Sequence, residues 1–207
     1  MSNYFLSREI IMQQDRLVLI REKLEYMENP IIFALAERII YRYDSDFMYK
    51  FKDFWKEYNK LKLKFFVKQE TFEDVEEKLF SFYFSKILFE NCANKDLAES
   101  SILAKDLNLL SLVTERLLLG ISVAQAKFQA KPELYKKLVN DNDIKEINNQ
   151  LTNAEVEQKI LVRIKEKAAR FNFVNPDFNP EVAVSFYRDC IISLTKEIEL
   201  AYLLNCK

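Results

Sequence analysis

The chain of 207 residues contains a single glycine, Gly120, and no histidine. Glycine supplies the positive-φ turns and close backbone approaches that many folds need. One glycine excludes a Walker phosphate loop and a dinucleotide fingerprint, since both need several. It also argues against an all-β fold with its many tight turns. Without histidine, Ser-His-Asp and Cys-His catalysis are excluded, along with most zinc sites. Any chemistry must run on Arg, Lys, Glu, Asp, Tyr, Ser or Thr.

Hydrophobic residues make up 49% and charged residues 30%, which is globular composition. A chain this long buries roughly 70% of its unfolded surface, so it needs neither metal nor disulfide to hold it. The 31 cationic and 32 acidic side chains leave a net charge of -1. That balance argues against a dedicated nucleic-acid or membrane-surface protein. Cys92, Cys190 and Cys206 are odd in number with no close pair, as expected of reduced thiols. There is no glycosylation sequon, no long apolar core in MSNYFLSREIIMQQDR, and no run of 18 uncharged apolar residues. A cytoplasmic protein without membrane contact is expected.

The apolar spacing is helical almost throughout. Leu17, Ile20, Leu24 and Met27 define one face of a helix over 8–28. Asn29-Pro30 marks a kink or a new first turn, before a second run from Ile31 to Tyr43. A third helix covers about 46–67. Thr71 and Asp74 resemble a capping box for a helix over about 72–91, and 91–99 reads as a polar loop. From about Ser101 to Ala130 leucines crowd nearly every face, which predicts a buried central helix. Short helices follow at 132–140 and 141–150. Thr152 with Glu155 forms a capping box for 153–172, and Asn179-Pro180 opens a last helix to about Asn205. With no repeat and no linker, residues 1–207 read as one all-α domain, a single helical bundle.

Charged residues on apolar faces are the candidates for function. Arg21 lies four residues after Leu17 and three before Leu24, and is expected to share their inward face. Arg116 and Lys127 are eleven apart, almost three full turns, so they point one way. Gly120 lies between them on that stripe. A mid-helix glycine costs about 1 kcal/mol against alanine. Either a ligand approaches the backbone there or another helix does. Asn153 with Glu157, and Thr195 with Glu199, are i,i+4 pairs on largely apolar helices. Each could be a partly exposed residue or a structural ion pair. Converging, they would suit a small dianion, since arginine forks match carboxylates.

Two weaker patterns point elsewhere. Lys50, Lys52, Lys56, Lys60, Lys62, Lys64 and Lys68 interleave with aromatics, a pattern that can bind nucleic acid. Nearby acids almost balance them, and Lys56, Lys60 and Lys64 form a solvent stripe, so a solvated amphipathic helix is the reading. Asp141 and Asp143 begin like a calcium loop, but the glycine such a loop needs is absent, so no metal site is expected.

Longer motifs carry a resemblance. AQAKFQ at 124–129, LYKKL at 134–138, TNAEVEQKIL at 152–161, LTKEIELAYLL at 194–204 and IREKLEYMENPIIF at 20–33 are ordered and correctly spaced. Over about 17–43 and 100–205 the chain resembles the eukaryotic, all-helical chorismate mutases of the yeast type. The resemblance implies the Claisen rearrangement of chorismate to prephenate in aromatic amino-acid biosynthesis, with no cofactor. It also implies a homodimer. It assigns substrate binding to Arg21, Arg116, Lys127, Asn153, Glu157, Thr195 and Glu199, with Lys127, Glu199 and Arg116 closest to the chemistry. Gly120 matches the family's glycine on the central helix.

The middle departs from the family pattern. Residues 44–99 are shorter than in the regulated relatives. SSILAKD at 100–106 matches a segment in which Gly-Ser and a later Thr bind tryptophan or tyrosine. Here Ser100 replaces the Gly, Ser101 is kept, and Ala104 replaces the Thr, which predicts a degenerate effector site. The rivals are a non-catalytic helical interaction protein that keeps the fold, and a mutase that diverts chorismate outside biosynthesis.

Overall fold

A computed structural model describes residues 16–43, 51–55, 69–92 and 101–206. Among these there are helices and turns but no strand. In chain order they are α1 (16–26), α2 (Glu28–Arg38), α3 (51–55), α4 (Gln69–Phe82), a π-helix (Tyr83–Leu88) and α5 (Phe89–Cys92). Then come α6 (Ile102–Ala130), α7 (Pro132–Asn140), α8 (Ile144–Leu151), α9 (Ala154–Ala169) and a 3₁₀ turn (Arg170–Phe173). The chain closes with α10 (Pro180–Ser185), a second π-helix (Phe186–Ile192) and α11 (Ser193–Leu204).

The central helix α6 organises the molecule. Leu109, Leu110, Val113 and Leu117 are buried along it, each contributing about 1.5–3 kcal/mol. Its length and apolarity would suit a membrane span, but here the helix is packed against α2 and α11. It is not enclosed on every side: Ala104, Asn108 and Glu115 form an exposed strip, flanked by half-buried Leu112, Leu118 and Leu119. α11 runs parallel to α6, with Thr195 beside Arg116 and Glu199 beside Lys127. α1 and α2 run antiparallel to α6. At one end Arg16 donates to Gln125 and Gln129, and at the other Arg38 meets Asp106. Two apolar clusters result. The larger joins α2, α4, the first half of α6, α10 and α11; the smaller joins the end of α6 to α7, α8 and Leu203.

Several boundaries differ from the sequence reading. The break near Asn29-Pro30 falls at Met27, and Pro30 sits in the first turn of α2, where its missing N–H costs nothing. α2 stops at Arg38, not Tyr43. Its C-terminal turn is closed by Ile39 N–H donating to Leu35 O, and Tyr43 N–H instead donates to Cys92 O. α4 already runs at Gln69, so Thr71 lies inside the helix and not at its start. α9 is capped by Asn153, whose Oδ1 accepts from Val156 N–H at 3.1 Å. Thr152 is used to close α8 instead, donating its N–H to Asn148 O.

The turn between α7 and α8 needs a left-handed residue. Asn142 provides it at φ 52°, a conformation asparagine tolerates, so the turn is made without glycine. The expected helix over 46–67 is described only at 51–55. There Phe51 and Trp55 are buried and Lys52 pairs with Glu77, which is the amphipathic pattern. Residues 1–15, Ser100 and most of the loop over 91–99 lie outside the described residues.

Candidate active site

Arg116, Gly120 and Lys127 lie on one stripe of α6, where the two apolar clusters meet. α11 brings Thr195 and Glu199 against that stripe. A Cβ at Gly120 would stand 3.0 Å from Thr195 Cγ2, 3.2 Å from Thr195 O and 3.6 Å from Glu199 Cγ. The glycine is therefore a close helix–helix contact. The residues it admits are the two polar side chains of α11.

Arg116 is 5% exposed. Its one described hydrogen bond is from Nη1 to Thr195 Oγ1, at 3.5 Å, and its Nε has no partner. Thr195 donates its own proton to Ile191 O at 2.6 Å, so its oxygen is free to accept. Burial holds the guanidinium pKa below its ordinary value. Tyr187, Glu28 and Glu199 pull the other way through space. Both carboxylates are occupied, however. Glu28 is gripped by Arg163 at 2.6 and 2.8 Å and by Lys167 at 2.9 Å. Glu199 accepts from Lys127 at 3.0 Å. Of the two buried arginines among the described residues, Arg38 has a carboxylate partner and Arg116 has none.

Lys127 also donates to Leu151 O at 2.8 Å, which ties the site to the α8–α9 junction. Glu199 is buried, and burial raises its carboxyl pKa. Lys127, Arg116 and Lys196 oppose that rise. Glu157, on the first turn of α9, pairs with Lys196 at 2.7 Å. Asn153 caps the same helix two residues beyond Leu151 and is exposed.

Arg21 does not share the inward face expected of it. It is exposed, while Leu17, Ile20 and Leu24 are half-buried. At about 100° per residue the stripe through Leu17, Ile20, Leu24 and Met27 centres about 80° away from Arg21, on the stripe's edge. No hydrogen bond or ion pair holds it among the described residues. Its height is nevertheless suitable. Arg16 reaches Gln125 and Gln129, and Arg38 reaches Asp106, so Arg21 stands level with about residue 122, between Arg116 and Lys127.

Spacing along single helices does not identify Glu28, Arg163, Lys167 or Tyr187. Glu28 carried a signal, lying four residues after Leu24 on the apolar stripe. Tyr187 carried none. It is eight residues before Thr195, which in a regular helix puts it about 80° off that face. The π-helix Phe186–Ile192 inserts an extra residue, so Tyr187, Thr195 and Glu199 fall within about 20° of one line. Among the described residues no group of acids and cysteines could hold a metal ion. Cys92, Cys190 and Cys206 form no disulfide with one another; burial pushes Cys190 up, which makes it a poor nucleophile.

Fold and site define an all-α protein whose central helix presents cations to a polar stripe on a parallel neighbour. Residues 99–200 match the model of the chorismate mutase type II family. The chorismate mutase of Saccharomyces cerevisiae is 37% identical over 112 residues, covering 51% of this chain and 43% of that protein. That of Trichoderma parareesei is 32% identical over 149 residues, covering 63% and 56%. The chain thus spans about half the length of the curated relatives it matches. The crystal structure of the Candida albicans chorismate mutase in complex with L-Trp superposes with a TM-score of 0.72 at 25% identity, over 91% of this chain and 90% of that one. The chloroplast chorismate mutase of Zea mays shares the fold, with a TM-score of 0.74 at 24% identity over 89% and 92%. Over about half of its length, and in its fold, the chain is similar to the eukaryotic, all-helical chorismate mutases.

Proposed function

We propose that the protein is a chorismate mutase, converting chorismate to prephenate in aromatic amino-acid biosynthesis. One observation carries the reading: Arg116 is a buried cation whose neighbouring carboxylates are already paired. A buried charge is stable only with a partner, and an incoming carboxylate supplies it. The relatives named above point to the same substrate.

The reaction is intramolecular. An ether C–O bond breaks as a C–C bond forms, so no nucleophile and no redox group is needed. A rate gain of about a million-fold requires roughly 8 kcal/mol. Two sources supply it: holding the substrate in its compact conformer, and aiming fixed donors at the charge that develops on the ether oxygen. Arg116, oriented by Thr195, takes one carboxylate. Arg21, unheld and level with the site, takes the other. Lys127 donates to the ether oxygen, exchanging its contact with Glu199 for the substrate. Glu199 donates a second hydrogen bond there in its protonated form. Glu157 and Asn153, on the first turn of α9, hold the ring hydroxyl.

Loss of chorismate absorbance on adding purified protein, with prephenate as product, is the expected outcome. Unchanged absorbance at micromolar protein would reject the reading in favour of a non-catalytic helical protein. Cytoplasmic location fits a relative from Zea mays that is named as cytosolic. A homodimer is what the resemblance implies, and light scattering at twice the monomer mass would be its signature. With Ala104 at the effector-like segment, tryptophan and tyrosine are expected to leave activity unchanged; a several-fold response to either would contradict this.

A further inference from the structure

Two buried donors near each other lack acceptors: Nε of Arg116 and the hydroxyl of Tyr187. Tyr187 is fully buried and lies close enough to Arg116, Arg163 and Glu28 for their charges to act on it. Burial pushes its hydroxyl pKa far up, so it carries its proton at any working pH. Arginine has no acceptor to offer a tyrosine. Glu28, the one buried carboxylate acting on both, spends both its oxygens on Arg163 and Lys167. A buried donor with no acceptor is a cost to the free protein. A common acceptor placed between the two satisfies both.

The π-helix explains why the hydroxyl is there. Without the extra residue Tyr187 would face about 80° away from Thr195. With it, Tyr187, Thr195 and Glu199 form one polar line along α11 and the turn before it. π-turns are found frequently at functional sites, because they re-aim side chains at some cost to the helix. Thr195 donates its proton to Ile191 O, four residues back, and its oxygen accepts from Arg116.

We propose that Tyr187 is a substrate-binding residue: its hydroxyl and the Arg116 guanidinium together hold one carboxylate of the ligand. Thr195, whose oxygen accepts from Arg116, steadies the guanidinium beside it. This rests on the chorismate mutase reading and extends it by one residue.

The test is Tyr187→Phe, read in three ways. Removing an unsatisfied buried hydroxyl should leave the ligand-free melting temperature equal or higher. KM for chorismate should rise about tenfold, the loss of one hydrogen bond to a charged group, with kcat within about threefold. The rise in melting temperature produced by chorismate should shrink accordingly. A variant with wild-type KM and an unchanged chorismate shift would overturn the assignment. So would a clear fall in ligand-free melting temperature, since that would reveal a structural partner for the hydroxyl. If wild-type protein neither turns over nor binds chorismate, the functional reading fails first. Tyr187 is then read with inorganic sulfate against chloride at equal ionic strength. Sulfate stabilisation lost in the variant supports the anion site, and equal stabilisation in both proteins removes Tyr187 from it.

Discussion

At the N-terminal end of α6, Asp106 accepts from Arg38 Nε and from the Tyr83 hydroxyl, both at 2.5 Å. Arg38 further donates to Tyr41 O at 3.3 Å and lies 4.0 Å from Cys92 Sγ. Three turns along the same helix, Arg116 is as deeply buried and has a bare Nε and one long hydrogen bond. The first cluster is closed: charge meets charge, and α2, α6 and the first π-helix are tied together. The second is open, with donors in surplus. Burial alone therefore does not mark a functional site in this protein. What marks it is a buried cation left without an acceptor, which is a standing cost to the free protein that a ligand relieves.

Breaking the closed cluster should have the largest effect. Asp106→Ala strands Arg38 in the core, and removing one partner of a buried pair costs about 3–5 kcal/mol. Urea unfolding should show that loss, while turnover per folded molecule stays near wild type. A cost under about 1 kcal/mol would mean the cluster is not what ties these helices.

In the open cluster, function should fall and stability should not. Lys127→Ala is expected to lower kcat about 100- to 1,000-fold, as for loss of an oxyanion-hole donor, or about 2.7–4 kcal/mol. Circular dichroism should be unchanged. A near-wild-type rate would remove Lys127 from the ether oxygen.

The next effect is a pH dependence of up to about tenfold per unit. Burial raises the Glu199 pKa, and the proposed role needs its proton. Activity should then be highest on the acid side and fall as pH rises through that raised value. Glu199→Gln, which donates at every pH, should flatten the fall. A variant profile that still declines in parallel with wild type would count against the role.

The smallest effect is expected at Gly120→Ala. The new methyl meets Thr195 Cγ2 at 3.0 Å and the Thr195 carbonyl at 3.2 Å. Overpacking of about 1–3 kcal/mol is partly offset by about 1 kcal/mol of helix propensity. Modest destabilisation, with a larger loss of turnover because Thr195 and Glu199 are displaced, would sharpen the contrast. Undiminished turnover would show that the helix spacing there is not critical.

Much of this was legible in the sequence. The leucine run from Ile102 to Ala130 fixes α6, and eleven-residue spacing puts Arg116 and Lys127 on one face. Local signals were weaker at junctions. Thr152 and Asn153 are both good caps, and only the length of α8 decides that Asn153 begins α9. Arg21 was misplaced because a stripe only four residues long leaves its edge undefined. The partners of buried charges were not legible at all. Asp106, Glu28 and Arg163 meet their counterparts across helices, at sequence separations no single-helix periodicity reports. The π-turns change register without any composition signal, which hides both Tyr83 and Tyr187.

The contrast between the two ends of α6 reduces to the state of Arg116 in the free protein. Arg116→Leu should leave ligand-free stability equal to wild type or higher, and should abolish the rise in melting temperature that chorismate produces. A drop of several kcal/mol in ligand-free stability with the chorismate response intact would mean that Arg116 already has its partner inside the fold, and that the site is not waiting for an anion.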